Sequence, residues 1–338
     1  MILLNNLKMF LLAFAVLFAN TLYAYPPQAE LFGLNKSMVQ LWVSYPNGVT
    51  GTGSGVLIKD NHVATDCHVF ADAEGVNVVK YHDTFSPIAV YADWEHDLCI
   101  LKFDNLNLPP VNIRTSEDIS YEEKVFSLTF PNDNPVPLPS YGKVKALYPF
   151  DGGNIIRTSA SFTVGSSGGA LFDLDFNLIG ITTFKSPGKR YGYFYCLPSE
   201  WILKLLETKE SNSLKSTAPP FWSLPDDQKP YFMQVVIPMN EENWSKLEGI
   251  AKTWIEDDPN NADAYYYYGL AKHKQKHENE AITVFKKAFS LNGKHIDSLI
   301  EIALIAKEIS NQVEFDWAYS EILKIDEDFS ESFFKKKT

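Results

Sequence analysis

Three residue types capable of nucleophilic catalysis occur in an order that could serve one site. The run Thr163-Val164-Gly165-Ser166-Ser167-Gly168-Gly169-Ala170-Leu171 sets Ser167 among small residues, where the backbone can turn tightly and approach a substrate. Such a turn exposes one hydroxyl and can aim the amides of Gly165 and Ser167 at one point, as an oxyanion hole requires. Upstream, Thr65-Asp66-Cys67-His68-Val69 ends a strand-like run with a histidine, and Asp97 directly precedes the apolar run Leu98-Cys99-Ile100-Leu101. In a Ser-His-Asp triad the imidazole takes the serine proton, and a buried aspartate fixes its tautomer and stabilises the imidazolium. The order His68, Asp97, Ser167 is one of several that build this geometry. Asp93 and His96 compete for the acid's role. Asp97 is preferred because the apolar strand begins directly after it. His62 and His82 fit no such pattern.

The elements that must hold these groups are short apolar or alternating runs between Met38 and Leu197, separated by Gly, Pro, Asn and Asp turns. About a dozen strands at this spacing predict an all-β domain of two six-stranded barrels. A helix follows from Ser199. The Pro-rich stretch Pro131 to Pro139 reads as a surface loop between the barrels. Residues 25–36 read as a loose lead.

Several ordered segments together resemble the trypsin-like serine proteases, most closely their high-temperature-requirement (Deg-type) branch. These are Gly51-Thr52-Gly53-Ser54-Gly55-Val56-Leu57-Ile58, the histidine and aspartate segments, the serine segment, Leu178-Ile179-Gly180-Ile181-Thr182 and Leu197-Pro198-Ser199. The resemblance implies a double β-barrel in which His68 is general base, Asp97 the orienting acid and Ser167 the nucleophile. Gly165 and Ser167 then supply the oxyanion amides. It also sets Ser161 near the base of the specificity pocket, with Thr182 and Thr183 in one wall. No acid lies at that base, so a modest apolar residue is expected at the cleavage site. The sequence departs from the branch at Ser166, where Asn is usual, and at Cys67, which is more like the secreted trypsins. An activation-type Ile-Val-Gly-Gly start and C-terminal PDZ modules are both missing from the pattern.

Residues 1–24 carry Lys8, an apolar run from Met9 to Ala19 and small residues up to Ala24, which reads as a signal peptide cleaved after Ala24. The mature chain is expected to be exported, periplasmic or secreted, and free of membrane. The net charge is −12 over 338 residues, and more negative once Lys8 is removed. This argues against nucleic acid as a partner. Three cysteines, Cys67, Cys99 and Cys196, leave at least one free thiol, with the pairing open. No zinc-ligand spacing occurs, so neither metal nor cofactor is expected.

Thr208 to Lys229 reads as a linker, in which Phe221 and Trp222 are candidates to dock on one domain. Residues 229–338 show a period of about 34 residues, the tetratricopeptide signature. Tyr265, Tyr268, Gly269, Ala281, Phe285, Ala288 and Leu291 form the clearest copy, with degenerate copies one period either side. Within Tyr265 to Tyr268, two rings are expected to pack between helices and two to line a face. His273 and His277 read as a solvated face.

The expected organisation is a signal peptide (1–24), a protease domain (25–207), a linker (208–228) and a repeat domain (229–338). The function is that of a serine endopeptidase acting on polypeptides, with the repeats binding substrate or a protein partner. The alternatives are a catalytically silent scaffold and a processing enzyme whose single partner the repeats select. Activity is expected to fall below about pH 6.5, where an ordinary histidine becomes charged.

Overall fold

The computed structural model describes residues 25–46, 48–188, 192–329 and 333–334. The leader expected at residues 1–24 lies outside the described residues.

The first layer is a seven-stranded curled sheet. Its strands are β1 (Met38–Ser44), β2 (Thr50–Lys59), β3 (His62–Asp66), β4 (Gly75–Lys80), β5 (Asp83–Phe85), β6 (Ala89–Asp93) and β7 (Leu98–Lys102). They are ordered β5-β4-β1-β2-β3-β7-β6. The second is a closed six-stranded barrel of β8 (Lys124–Thr129), β9 (Leu138–Phe150), β10 (Gly153–Thr158), β11 (Gly169–Asp173), β12 (Leu178–Lys185) and β13 (Phe194–Pro198), ordered β10-β13-β12-β11-β8-β9. The trypsin-like double-barrel expectation is thus met by one closed barrel and one curled sheet with an added short strand. The lead holds a helix, α1 (Gln28–Asn35), that the sequence reading left as loop.

Alternation explains the layering. Val125 of β8 joins a small cluster with Val144, Ile156, Leu171, Ile179 and Cys196. Its neighbours Phe126 and Leu128 join the large core shared with Met38, Val56 and Ile100 of the first sheet. Successive strand residues point to opposite faces, so barrel strands with both faces covered read as near-continuous apolar runs.

After α2 (Ser199–Leu205), residues 208–230 run back across the first sheet. Ser211 bridges Val90 there through paired backbone hydrogen bonds of 2.8 Å. Two short helices follow, α3 (Tyr231–Gln234) and α4 (Val236–Asn240), then five longer ones: α5 (Trp244–Asp257), α6 (Ala262–Lys274), α7 (Glu278–Leu291), α8 (Ile296–Glu308) and α9 (Gln312–Ile325). The repeat is visible in the caps. Asn243, His277 and Asn311 stand one period apart at helix starts, and Asp258, Asn292 and Asp326 at helix ends. The Asn243 and Asn311 side chains accept from the amides three residues on, as N-caps do. Gly269 admits the Phe285 ring, which a Cβ there would meet at 2.9 Å. The earliest unit is the irregular one: its first helix is divided at Val235 into α3 and α4, where Pro238 has no amide to donate back to Gln234.

The repeats do not stand apart from the barrel. Arg157 of β10, 2 % exposed, donates to the Tyr267 hydroxyl (3.1 Å), the Lys145 carbonyl (3.1 Å) and Asp297 (3.2 Å). Tyr121 donates to Asp263 of α6 at 2.6 Å. Tyr148 stacks on Phe232 at 4.4 Å. Of the Tyr265 to Tyr268 row, Tyr266 and Tyr267 are buried and Tyr265 and Tyr268 half-buried. Tyr267 faces the barrel.

Candidate active site

The site forms where the first sheet meets the barrel. Asp66 ends β3 and His68 follows in a single helical turn, Cys67–Val69. Asp97 sits in the turn between β6 and β7 with φ of 62°, a left-handed conformation that Asp tolerates better than most residues. Three ties fix these two turns together. The Cys67 amide donates to the Asp97 carbonyl at 3.0 Å, the His68 amide donates to Asp97 Oδ1 at 2.8 Å, and a disulfide joins Cys67 to Cys99. Cys196 is the remaining thiol, buried, and burial pushes its pKa well up.

Ser167 comes from the loop before β11. Gly165 and Gly168 have φ of 85° and 82°. A Cβ on Gly165 would lie 2.7 Å from the Phe130 carbonyl, and one on Gly168 would run into Thr65 Oγ1 and the Ser54 carbonyl. Glycine is therefore required at both positions. Ser54 ties the loop to β2: its hydroxyl donates to the Gly165 carbonyl at 2.8 Å and its amide to the Ser167 carbonyl at 2.8 Å. Among the described residues neither the Gly165 nor the Ser167 amide donates within the chain, so both are available to an incoming oxygen.

These placements bring the three groups into one line. His68 Nδ1 lies 2.6 Å from Asp97 Oδ2, and His68 Nε2 lies 3.1 Å from Ser167 Oγ. The Asp97 side chain is 1 % exposed and that of His68 31 %. Burial disfavours charge on His68. The hydrogen bond and charge of Asp97, with a smaller contribution from Asp66, outweigh it and push the imidazole up to about 9. Asp66 is fully buried, and burial followed by the Asp97 charge pushes its carboxyl well above the usual range. Its Oδ2 accepts from the Gly168 amide at 2.8 Å. Thr183 Oγ1 lies 2.8 Å from Asp66 Oδ1 and 3.0 Å from the Ile181 carbonyl. The Thr183 hydroxyl donates to Asp66 Oδ1.

The competing pair is used elsewhere. His96 lies between Asp93 (2.7 Å) and Asp151 (2.8 Å), against Trp201 at 4.2 Å. Of the residues expected at the specificity pocket, Ser161 is exposed and pairs with Ser140 at 3.1 Å. Thr182 donates to the Ser166 carbonyl at 2.7 Å, and Thr183 turns inward to Asp66. Only the Thr183 carbonyl faces the nucleophile, 3.5 Å from Ser167 Oγ. A cleft lined in part by Trp222, whose ring meets that of His68, has walls from β12, the linker and the short helices, including Phe184, Ser186, Lys229, Met233 and Ile237. Asp66 and Trp222 were missed as site residues. The one available signal was an acid two places before His68 in an otherwise apolar strand.

Among the described residues, two groups bring ligand-type atoms within 4.8 Å of one another: Asp66, His68 and Asp97, and, in the repeats, His273, Glu278 and Glu308. The first group is already occupied by its hydrogen bonds.

The fold and this geometry define a trypsin-like peptidase domain. Residues 53–181 match the family described as trypsin-like peptidase domain, and residues 250–283 match the tetratricopeptide repeat. The chain is 30% identical over 167 residues to a probable periplasmic serine endoprotease, DegP-like, of Rickettsia prowazekii, covering 46% of this chain and 33% of that one. It is 30% identical over 163 residues to the DegP-like protein of Ectopseudomonas mendocina, covering 46% and 34%. The chain thus spans about a third of the length of these curated relatives. The Rv3671c protease of M. tuberculosis, in its active form, shares the fold with a TM-score of 0.50 at 20% identity, over 57% of this chain and 92% of that one. Residues 53–181 thus form a domain similar to the trypsin-like peptidases, with DegP-like proteins among its relatives, and residues 250–283 are similar to a tetratricopeptide repeat.

Proposed function

We propose that the chain is an exported serine endopeptidase working through Ser167, His68 and Asp97. The observation that carries this reading is the 3.1 Å approach of His68 Nε2 to Ser167 Oγ, with Asp97 behind the imidazole. Neutral His68 accepts the Ser167 proton as Oγ attacks a peptide carbonyl carbon. The Gly165 and Ser167 amides receive the developing oxyanion. His68 returns the proton to the leaving amine, and water, activated by the same imidazole, hydrolyses the acyl-enzyme. The substrate is a polypeptide, entering beside Trp222 and Phe184. A modest apolar residue is expected at the cleavage position.

Export is supported by the leader-like residues 1–24, by the periplasmic names of the relatives and by the Cys67–Cys99 disulfide, a bond suited to an oxidising compartment. The repeats brace the barrel through the face bearing Asp263, Tyr267 and Asp297. Recognition of a protein partner falls to their remaining surface. We keep the proposed division at 25–207 and 229–338, with the linker between.

The test is fluorophosphonate labelling of the mature protein beside Ser167→Ala. Labelling in the wild type that vanishes in the variant supports the reading. A well-folded wild type that stays unlabelled from pH 7 to 9 overturns it and leaves the silent scaffold. That second reading is favoured by the 2.6 Å Asp97–His68 pairing, which raises the imidazole and leaves less of it neutral at pH 7.

A further inference from the structure

The Trp222 indole Nε1–H donates to Asp97 Oδ2 at 2.9 Å. This is the same oxygen that faces His68 Nδ1. The Trp222 ring meets the His68 ring edge-on at 5.5 Å and stacks on Phe184 at 5.9 Å with a 23° tilt. Its neighbour holds it there: the Phe221 amide donates to the Glu95 carbonyl at 2.8 Å, and the buried Phe221 ring packs on Phe150 at 5.0 Å. Neither residue belongs to the barrels. Both lie in the segment that leads to the repeats.

A carboxylate that must hold an imidazole needs its remaining lone pairs satisfied and its plane fixed. Asp97 Oδ1 is taken by the His68 amide. The indole N–H is a donor only and does not titrate, so it fixes Oδ2 without competing for the proton. We propose that Trp222 is a positioning residue for the Asp97–His68 pair, supplied from outside the protease fold by the segment that joins it to the repeats. This rests on the Ser167, His68 and Asp97 reading above.

The direction of the effect follows from the same geometry. Without the indole donor, Oδ2 keeps more of its charge for His68 Nδ1–H, which favours the imidazolium. The charged groups that reach His68 are Asp97 and Asp66, and a change at Trp222 removes neither and alters only the hydrogen bond at Asp97 Oδ2.

The experiment compares full-length Trp222→Phe with wild type. The phenyl ring keeps the packing on Phe184 and removes the donor. The expected result is kcat/KM lowered about tenfold at pH 7, the size of one lost hydrogen bond to a charged group. KM should stay within about twofold, and the acid limb of the pH profile should move up by about half a unit. A folded variant whose acid limb does not move overturns the proposal. In the wild type, needing no variant, one of the seven Trp indole N–H resonances should titrate with the midpoint of that acid limb. If none follows it, the proposal falls even where the variant fails to fold. A wild type unlabelled by fluorophosphonate overturns the underlying reading. A labelled wild type beside a Trp222→Phe profile identical to it overturns only the role of Trp222.

Discussion

At the scale of single residues, the site is set by two carboxylates around one imidazole. A general base must be neutral, and Asp97 holds His68 charged up to about 9, so activity is lost as pH falls through that value. We expect kcat/KM to rise about tenfold per unit between pH 6 and 8 and to level near 9. A profile already flat at pH 7 would contradict this. The bare residue type led instead to an expectation near 6.5, because the local field is not written in the motif. Asp66 yields a second prediction. Its carboxyl accepts from the Gly168 amide and from the Thr183 hydroxyl, both at 2.8 Å. Asp66→Asn keeps an oxygen for the Gly168 amide and should keep activity within a few-fold. Asp66→Ala leaves the Gly168 amide without its side-chain acceptor and should cost at least about tenfold, with about 1–3 kcal/mol of stability. Equal losses in the two variants, measured by turnover and thermal melts, would show that Asp66 works as an anion. His68, Asp97 and Ser167 were legible because each sits in a local pattern of its own. Trp222 was not, since 125 positions separate it from Asp97 and only the folded chain joins them.

At the scale of elements, the site depends on how short turns are locked. The Cys67–Cys99 bridge spans 32 positions and ties the histidine turn to the strand that follows Asp97. Reduction, or Cys99→Ala with Cys67→Ala, should cost about 4 kcal/mol, the loop-closure value for a loop of that length. It should also lower turnover more than it lowers binding, because the two turns lose a fixed spacing. A melt with and without reductant, beside KM and kcat, measures both. The order of strands was readable from alternation and turn residues, and the helices from their period. Three features escaped for physical reasons. The lead forms α1 although its apolar residues follow no strong helical stripe. The strand β5 is only three residues long, too short for alternation to register. The strand β9 begins at Leu138, inside the Pro-rich stretch read as loop, since Pro139 stands near the strand's first end.

For the whole molecule, the decisive contact is between barrel and repeats. Buried Arg157 pairs with half-buried Asp297, and buried Asp263 lies within 4.0 Å. Removing the cation takes a charged partner from both acids, though Asp297 keeps Lys145 at 3.0 Å, so Arg157→Met should destabilise by about 1.5–3 kcal/mol. The Arg157→Met/Asp297→Asn pair should recover part of that loss, which denaturant titration would read. Lys145, Arg157 and His295 overcome burial and hold Asp297 down at about 2. A depressed carboxylate contributes stability above its unfolded value near 4, lost as pH falls from there toward 2. The repeat period was legible in the chain, but which face it would turn to the barrel was not. That depends on a lone arginine in a strand, matched by acids far along the sequence.

One core cluster runs without interruption from Met38 and Ile100 through Phe126 and Tyr195 to Trp254, Phe285 and Ile322. Strand layer and helix array are therefore welded rather than strung together. Heat should melt them in a single cooperative transition, with calorimetric and van't Hoff enthalpies equal, where beads on a flexible tether would melt in two steps.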